Sequence, residues 1–111
     1  MRVYRFMSKS EFKKYRNGEI LINKKSRKVT VNNEAITLTL KEYELLNFLI
    51  IHANQVLSRE QLLERIWGND YRGSLRTVDT HIKTLRMKLK TADYIQTVWG
   101  IGYKFEELDE K

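Results

Sequence analysis

The segment RTVDTHIKTLRMKLK, residues 76–90, has the hydrophobic spacing of a single amphipathic helix. At about 100° of rotation per residue, its apolar residues fall on one narrow stripe, which is typical of a buried helix face. That stripe consists of Val78, Ile82, Leu85 and Leu89. The opposite face carries Arg76, Thr80, Lys83, Thr84 and Met87. A helix that is well anchored on one side therefore presents cations and small hydroxyl side chains on the other.

This outward face has two interpretations. Lysine-rich helix faces are usually solvated. On that interpretation the cations of the segment serve only solubility; they are Arg76, Lys83, Arg86, Lys88 and Lys90. However, the segment offers a single acidic residue, Asp79, for ion pairs along the helix. Its three threonines are also poor helix formers, each costing a few tenths of a kcal/mol relative to Ala. Cations interleaved with short hydroxyl side chains suit a DNA groove, because they contact phosphates and allow close approach to base edges.

The composition limits the class of protein. The chain has 111 residues, 41% hydrophobic and 32% charged, as expected of one folded domain. It has no cysteine and only two separated histidines, so we expect no metal site and no cofactor. No apolar run approaches the roughly 18 residues of a membrane span, and the N-terminus lacks a signal-peptide pattern. The sequence therefore predicts a cytoplasmic protein that does not contact a membrane.

The net charge of +7 is concentrated in two places. Residues 1–28 contain ten Lys/Arg and two Glu, and residues 76–90 contain five Lys/Arg and one Asp. Such clustering favours a polyanionic partner. For the N-terminal region alone, a solubilising linker or surface is an equally good explanation.

Upstream of residue 76 the chain changes from strand to helix patterns. Runs of alternating apolar and polar residues, separated by Asn and Ser, predict a small antiparallel sheet. They are EILIN at 19–23, KVTVN at 28–32 and AITLT at 35–39, with EFKKY at 11–15 as a possible further strand. Two capping boxes, TLKE at 39–42 and SREQ at 58–61, then precede apolar residues at helical spacing and predict two helices.

The remaining segments predict a loop and a terminal hairpin. GNDYRGS at 68–74 has the composition of a loop. YIQTVWGIGYKFE at 94–106 contains two β-rich runs around Gly100 and Gly102, and Val98, Tyr103 and Phe105 within it need burial. A sheet, three helices and a hairpin form an α+β layout, the layout of a winged helix. In a helix-turn-helix the later helix enters the DNA major groove.

Three segments together resemble the C-terminal DNA-binding domain of the OmpR/PhoB family of response regulators. They are TLKEYELLNFLIIHANQVLSREQLLERIWG, RTVDTHIKTLRMKLK and IQTVWGIGYKFE, and the resemblance runs from about Glu19 to Glu106. It implies a winged helix-turn-helix with an N-terminal antiparallel four-stranded sheet, which makes EFKKY a strand, followed by three helices and a C-terminal β-hairpin wing. The expected domain spans 11–106, with 1–10 as a linker or N-terminal extension and 107–111 as an acidic tail.

The resemblance also implies roles for individual residues. Asp79, Thr80, Lys83 and Thr84 would read bases in the major groove. Contacts to the DNA backbone would come from Trp67, Arg76, Thr77, His81, Arg86, Thr97 and Tyr103. The wing would be formed by Trp99, Gly100, Ile101 and Gly102. The loop offered to RNA polymerase would be Gly68, Asn69, Asp70, Tyr71, Arg72, Gly73 and Ser74.

Some of these positions have simpler explanations. Trp67 could belong to the core, and His81 could be an ordinary surface histidine. Asp79 could be a favourable negative charge near a helix N-terminus, or could orient Arg76 or Lys83. Several family members have arginine where this chain has Trp99, and tryptophan lacks the charge with which arginine enters the minor groove. Trp99 could instead stack on a sugar or pack against a neighbouring protomer.

The resemblance further implies partners. These are double-stranded promoter DNA bound as a head-to-tail homodimer on direct repeats, RNA polymerase, and a receiver domain and cognate histidine kinase for the full-length protein. No receiver domain fits before Glu19, so we expect an isolated effector domain in preference to a natural single-domain relative. The competing hypothesis is a protein-interaction module using Trp99, Ile101 and Tyr71 as an apolar patch. An enzyme is not expected, since no catalytic set stands out.

Overall fold

The computed structural model describes residues 12–15, 18–90 and 94–106. Within these ranges the chain forms seven strands and three helices. They are β1 (Phe12–Tyr15), β2 (Gly18–Asn23), β3 (Lys28–Val31), β4 (Glu34–Ile36), α1 (Leu40–Ile51), β5 (Leu57–Ser58), α2 (Arg59–Trp67), α3 (Arg76–Leu89), β6 (Ile95–Val98) and β7 (Gly102–Phe105). None of the helices in this part of the chain is long and apolar enough to cross a membrane.

The N-terminal strands form an antiparallel sheet in the order β1-β2-β3-β4. Ile20 pairs with Val31, and Ile22 pairs with Val29. These four side chains are buried, so one face of the sheet covers the helices. The turn between β2 and β3 is ordered by Asn23, whose side-chain oxygen accepts hydrogen bonds from two backbone amides that follow it.

Both predicted capping boxes are present and begin the first two helices. The side chain of Thr39 accepts from the amide of Glu42, and the carboxylate of Glu42 accepts from the amide of Thr39. Ser58 and Gln61 make the same reciprocal pair at the start of α2. Because each box satisfies orphan donors at a helix N-terminus, the two helices begin where the sequence predicts.

The third helix packs its predicted stripe into the core. Val78, Ile82, Leu85 and Leu89 are buried together with residues of α1, the N-terminal sheet and β7. The helix ends at Leu89, one residue before the predicted boundary, because Lys90 adopts a left-handed conformation with φ of 66°.

The C-terminal hairpin is part of a three-stranded sheet. The order is β5-β7-β6, so the two-residue strand before α2 pairs with the second strand of the hairpin. The sequence predicts only the hairpin, since a strand of two residues has no recognisable pattern. The predicted burial is confirmed for Tyr103 and Phe105, while Val98 is half-buried.

The predicted fold class is confirmed: α+β, with a four-stranded sheet, three helices and a wing. The strand predicted at EFKKY is β1. β4 ends at Ile36, earlier than the run AITLT suggested. The predicted extension 1–10 and acidic tail 107–111 lie outside the described residues.

Candidate nucleic-acid interface

The outward face of α3 is an exposed stripe at helical spacing. Arg76, Thr80, Lys83 and Met87 all lie on it, and Met87 is 68% exposed. Among residues 12–15, 18–90 and 94–106, none of these four side chains makes a hydrogen bond or an ion pair with another residue. A stripe of this kind can exchange water for a ligand without breaking any internal bond.

One flank of this stripe is attached to α1 through Glu42, which is only 4% exposed. Its carboxylate accepts from the Oγ1 of Thr84 at 2.7 Å, from the Nζ of Lys88 at 2.6 Å and from the amide of Thr39 at 2.9 Å. Burial by itself would raise the pKa of Glu42. The hydrogen bonds from Lys88, Thr39 and Thr84 more than offset that and lower the pKa to about 2, so the group is ionised at neutral pH.

The other flank is attached to α2 and the wing through Asp79. Arg59 donates to both of its carboxylate oxygens, at 3.1 and 2.7 Å, and the hydroxyl of Tyr103 donates to one of them at 2.7 Å. Burial opposes ionisation of Asp79, but the bonds from Tyr103 and Arg59 lower its pKa overall. The pKa of Tyr103 is raised to about 12 by burial and by this bond. Both oxygens of Asp79 are therefore already in use.

Arg86 connects α3 to the first strand of the hairpin. Its guanidinium donates to the carbonyl of Ile95 at 3.2 and 2.6 Å and to the hydroxyl of Thr97 at 2.8 Å. It also lies 5.6 Å from the centre of the Tyr103 ring. At the end of the helix, Lys90 pairs with Glu34 at 3.0 Å.

The cations of segment 76–90 thus fall into two groups. Arg86, Lys88 and Lys90 hold intramolecular partners, whereas Arg76 and Lys83 have none among the described residues. The sequence analysis placed Arg76 and Lys83 on the outward face and expected Arg86 to contact the DNA backbone, but it could not show which cations hold intramolecular partners. The structure therefore leaves two cations fully available for a phosphate or a base edge.

The N-terminal end of α3 packs against the end of α2. Trp67 is half-buried and lies against the core, with its ring edge-on to His81 at 4.8 Å between centres. The Nδ1 of His81 lies 2.9 Å from the carbonyl of Thr77, which can only accept, so Nδ1 carries a hydrogen. A neutral His81 then has only an acceptor left, and a contact to phosphate requires the protonated ring. The hydroxyl of Thr77 lies 3.1 Å from that of Tyr71.

The wing tip is exposed and shaped by its two glycines. The amide of Ile101 donates to the carbonyl of Val98, which closes a turn with Gly100 at φ of 82°. A Cβ on Gly102 would lie 2.0 Å from the backbone oxygen of Leu57, so only glycine allows β5 to pair at this point. Trp99 is 88% exposed and Ile101 is 52% exposed.

The predicted loop Gly68–Ser74 is exposed along its whole length. It begins at Gly68, which has φ of 94° and ends α2. Tyr71 is the large apolar side chain of the loop and is 40% exposed.

Three residues that hold α3 in place were not recognised in this role by the sequence analysis. Glu42 was recognised only as a capping residue, Arg59 was not singled out, and Lys88 was placed among solvated cations. No pattern along the chain could have revealed them, because each acts through a partner at least 20 residues away.

Comparison with known proteins gives a consistent result. The sequence profile of the family described as "Transcriptional regulatory protein, C terminal" matches residues 33–105. The uncharacterized transcriptional regulatory protein YclJ of Bacillus subtilis (strain 168) is 54% identical over 89 residues, which cover 78% of this chain and 39% of YclJ. The transcriptional regulatory protein SrrA of Staphylococcus aureus (strain NCTC 8325 / PS 47) is 50% identical over 90 residues, covering 77% of this chain and 37% of SrrA. The chain spans about two fifths of the length of these relatives.

Solved structures agree with that assignment. The DNA-binding domain of Bacillus subtilis CssR has a TM-score of 0.72 and 35% identity, covering 78% of this chain and 98% of CssR's. The Klebsiella pneumoniae RstA DNA-binding domain, solved in complex with the RstA box, has a TM-score of 0.75 and 32% identity. The match covers 86% of this chain and 97% of the RstA chain. The response regulator DrrB, a Thermotoga maritima OmpR/PhoB homologue, has a TM-score of 0.75 and 36% identity. The match covers 95% of this chain and 49% of the DrrB chain. This chain therefore belongs to the family of winged-helix, DNA-binding C-terminal domains of OmpR/PhoB-type transcriptional regulatory proteins.

Proposed function

We propose that this domain binds double-stranded promoter DNA in a sequence-specific way, with α3 in the major groove. The observation that carries the proposal is the exposed stripe of Arg76, Thr80, Lys83 and Met87. Its side chains have no hydrogen-bond or ion-pair partner among the described residues, while both flanks of the stripe are attached to other elements. A helix fixed in this way presents a rigid surface, so little order has to be gained on binding. The role is binding and not catalysis.

The proposed base-reading set is narrower than the predicted one. Thr80 and Lys83 read bases, since a hydroxyl and an ammonium group at these exposed positions can reach base edges. We assign Asp79 and Thr84 to holding the helix, because Arg59, Tyr103 and Glu42 already occupy their side-chain oxygens.

The predicted backbone contacts remain part of the proposal. The assignment of Arg76 is the best supported, because its side chain is exposed at the N-terminus of α3. The others are Trp67, Thr77, His81, Arg86, Thr97 and Tyr103. Hydrogen bonds join α3 to both strands of the hairpin, from Arg86 to Thr97 and from Tyr103 to Asp79. The helix and the wing would therefore meet the DNA as one unit.

The wider setting follows from the family. We propose that the domain, residues 11–106, is the effector part of a longer regulator with a receiver domain phosphorylated by a histidine kinase. Two copies would bind head to tail on direct repeats, with the loop Gly68–Ser74 offered to RNA polymerase. Bacterial promoters lie in the cytoplasm, so the protein would act there. The RstA DNA-binding domain, solved in complex with the RstA box, supports DNA binding by a domain of this fold.

The proposal is tested by selecting bound fragments from a random duplex pool at about 0.15 M salt, where binding through phosphates alone is weak. We expect an enriched direct repeat with one helical turn between half-site centres. Replacing Lys83 by Ala should weaken the base preference at one position of the selected sequence. The preferred base there should lose about 1–3 kcal/mol of its binding advantage over the other bases. Replacing Lys25, an exposed cation in the turn after β2, makes the same charge change and should leave the selected sequence unaltered.

A second candidate is supported by the exposure of Trp99 and Ile101 at the wing tip. On this hypothesis the wing is an apolar patch that docks on another protein, and DNA is bound without sequence preference. Recovery of no enriched sequence from the pool would favour it. Replacing Trp99 by Ala would then abolish the protein contact and leave DNA affinity unchanged.

A further inference from the structure

Glu42 is a buried, ionised group that makes none of the proposed contacts to DNA. It lies on α1, outside every predicted site, and the residue is only 4% exposed. A buried charge is costly, and replacing a buried ion pair by apolar residues is often neutral or stabilising. The capping role of Glu42 at α1 would be met equally well at an exposed position, as it is by Gln61 at the start of α2. The burial of Glu42 therefore needs a further reason.

The geometry of its bonds supplies one. Thr84 and Lys88 lie one helical turn apart on the same flank of α3, and each donates to a different oxygen of the carboxylate. The buried apolar stripe of α3 holds the helix against the core, but apolar contacts are not directional and restrict a small rotation about the helix axis less sharply than hydrogen bonds do. Two short hydrogen bonds to one rigid acceptor do not tolerate it.

Rotation matters because the outward side chains lie far from the helix axis. At a radius of about 5–6 Å, a rotation of about 20° displaces a side-chain atom by about 2 Å. Hydrogen bonds to base edges span only about 0.5 Å of useful distance. A small rotation of α3 would therefore break the contacts proposed for Thr80 and Lys83 while leaving the helix packed.

We propose that Glu42 is a positioning residue for DNA recognition: through Thr84 and Lys88 it fixes the rotation of α3, and with it the direction of Thr80 and Lys83. This inference rests on the proposed function. Glu42 does not touch DNA, and its effect is on the difference between specific and non-specific binding. Phosphate contacts are less sensitive to rotation, because they are electrostatic and long-ranged compared with contacts to bases.

The test compares Glu42→Gln with Glu44→Gln at a temperature where both variants are folded. Glu44 lies on the same helix, pairs only with Lys41 among the described residues, and its replacement changes the charge equally. Each protein is titrated with the duplex enriched from the random pool and with a scrambled duplex of the same composition. We expect the ratio of specific to non-specific affinity to fall about tenfold for Glu42→Gln and to stay unchanged for Glu44→Gln.

Lys88→Gln provides a second variant if Glu42→Gln does not fold. It removes the same ion pair from the partly exposed side, and we expect the same fall in the affinity ratio. A role of Lys88 as a mere phosphate contact would lower both affinities and preserve their ratio. An unchanged ratio in folded Glu42→Gln or Lys88→Gln, alongside a specific wild type, overturns the inference alone. A wild type without specificity overturns the proposed function, and the inference with it.

Discussion

On the α1 side of α3, the carboxylate of Glu42 accepts from a lysine and a threonine hydroxyl. On the wing side, the carboxylate of Asp79 accepts from an arginine and a tyrosine hydroxyl. The chemistry is the same, yet the side chain of Glu42 is 5% exposed and that of Asp79 is 36% exposed. The first attachment is part of the core, and the second lies at the base of a hairpin that projects from it.

This difference teaches that equal hydrogen bonds need not have equal consequences. A bond to a buried carboxylate cannot be replaced by water, so losing it costs the desolvation of the group that remains. A bond to a half-exposed carboxylate competes with solvent and is worth little in stability. We therefore expect the α1 flank to determine whether the domain stays folded, and the wing flank to determine where the hairpin lies.

The largest expected effect is the loss of the buried attachment. Replacing Glu42 by Ala removes an acceptor that serves Thr39, Thr84 and Lys88, and should reduce the free energy of unfolding by about 2–4 kcal/mol. Urea unfolding followed by circular dichroism measures it. The matched change Glu44→Ala should cost less than about 1 kcal/mol, and equal losses for the two variants would contradict the comparison.

Lowering the pH should destabilise the folded domain mainly through Glu42, on the same α1 flank. The pKa of Glu42 is about 2 in the folded protein and near 4.5 when unfolded, so its ionised form favours the folded state. That contribution, on the order of 3 kcal/mol at 1.36 kcal/mol per pKa unit, is complete above pH 4.5 and is lost as pH falls towards 2. Melting temperatures between pH 6 and 2 should fall less steeply for Glu42→Gln than for the wild type. Parallel curves would show that Glu42 is not the responsible group.

The wing flank should be sensitive to shape more than to charge. A Cβ at Gly102 collides with the backbone of Leu57, so Gly102→Ala should separate β5 from β7 and cost roughly 2–3 kcal/mol. Gly100→Ala meets open space and strains only a positive φ, at about 1 kcal/mol. Thermal unfolding of the two variants measures the difference. A smaller loss for Gly102→Ala than for Gly100→Ala would show that β5 does not fix the wing.

The smallest expected effect on stability is that of the charge at the wing flank. Asp79→Asn keeps the shape of the side chain, and we expect it to cost less than about 1 kcal/mol, because the pair with Arg59 is partly exposed. The proposed holding role predicts a clear effect on DNA affinity without a change in which base is preferred. A changed base preference in a repeated selection would instead return Asp79 to the base-reading set.

Local patterns in the sequence predicted most of the fold. The two capping boxes, the stripe from Val78 to Leu89 and the alternating strands are all interactions between residues close in the chain. β5 was not predicted, because two residues carry no periodicity and Leu57 became a strand only by pairing with Tyr103.

The structure shows which side chains of the predicted site are exposed and which hold internal bonds, whereas their roles towards DNA stay predictions. Periodicity placed Arg76, Thr80 and Lys83 outward, and they are exposed. It could not separate them from Asp79 or Thr84, which lie only about 40–100° away around the same helix and have partners on α2, the wing and α1.

The sequence by itself determined which residues form α3, which side of it is buried and that its other side is cationic, since these depend on spacing along one helix. The tertiary structure alone decided which of those cations and hydroxyls are available. Glu42, Arg59 and Tyr103 are 20 or more residues distant in the chain from the side chains they hold. Hydrogen bonds act over about 3 Å in space, and only the folded chain brings such groups that close.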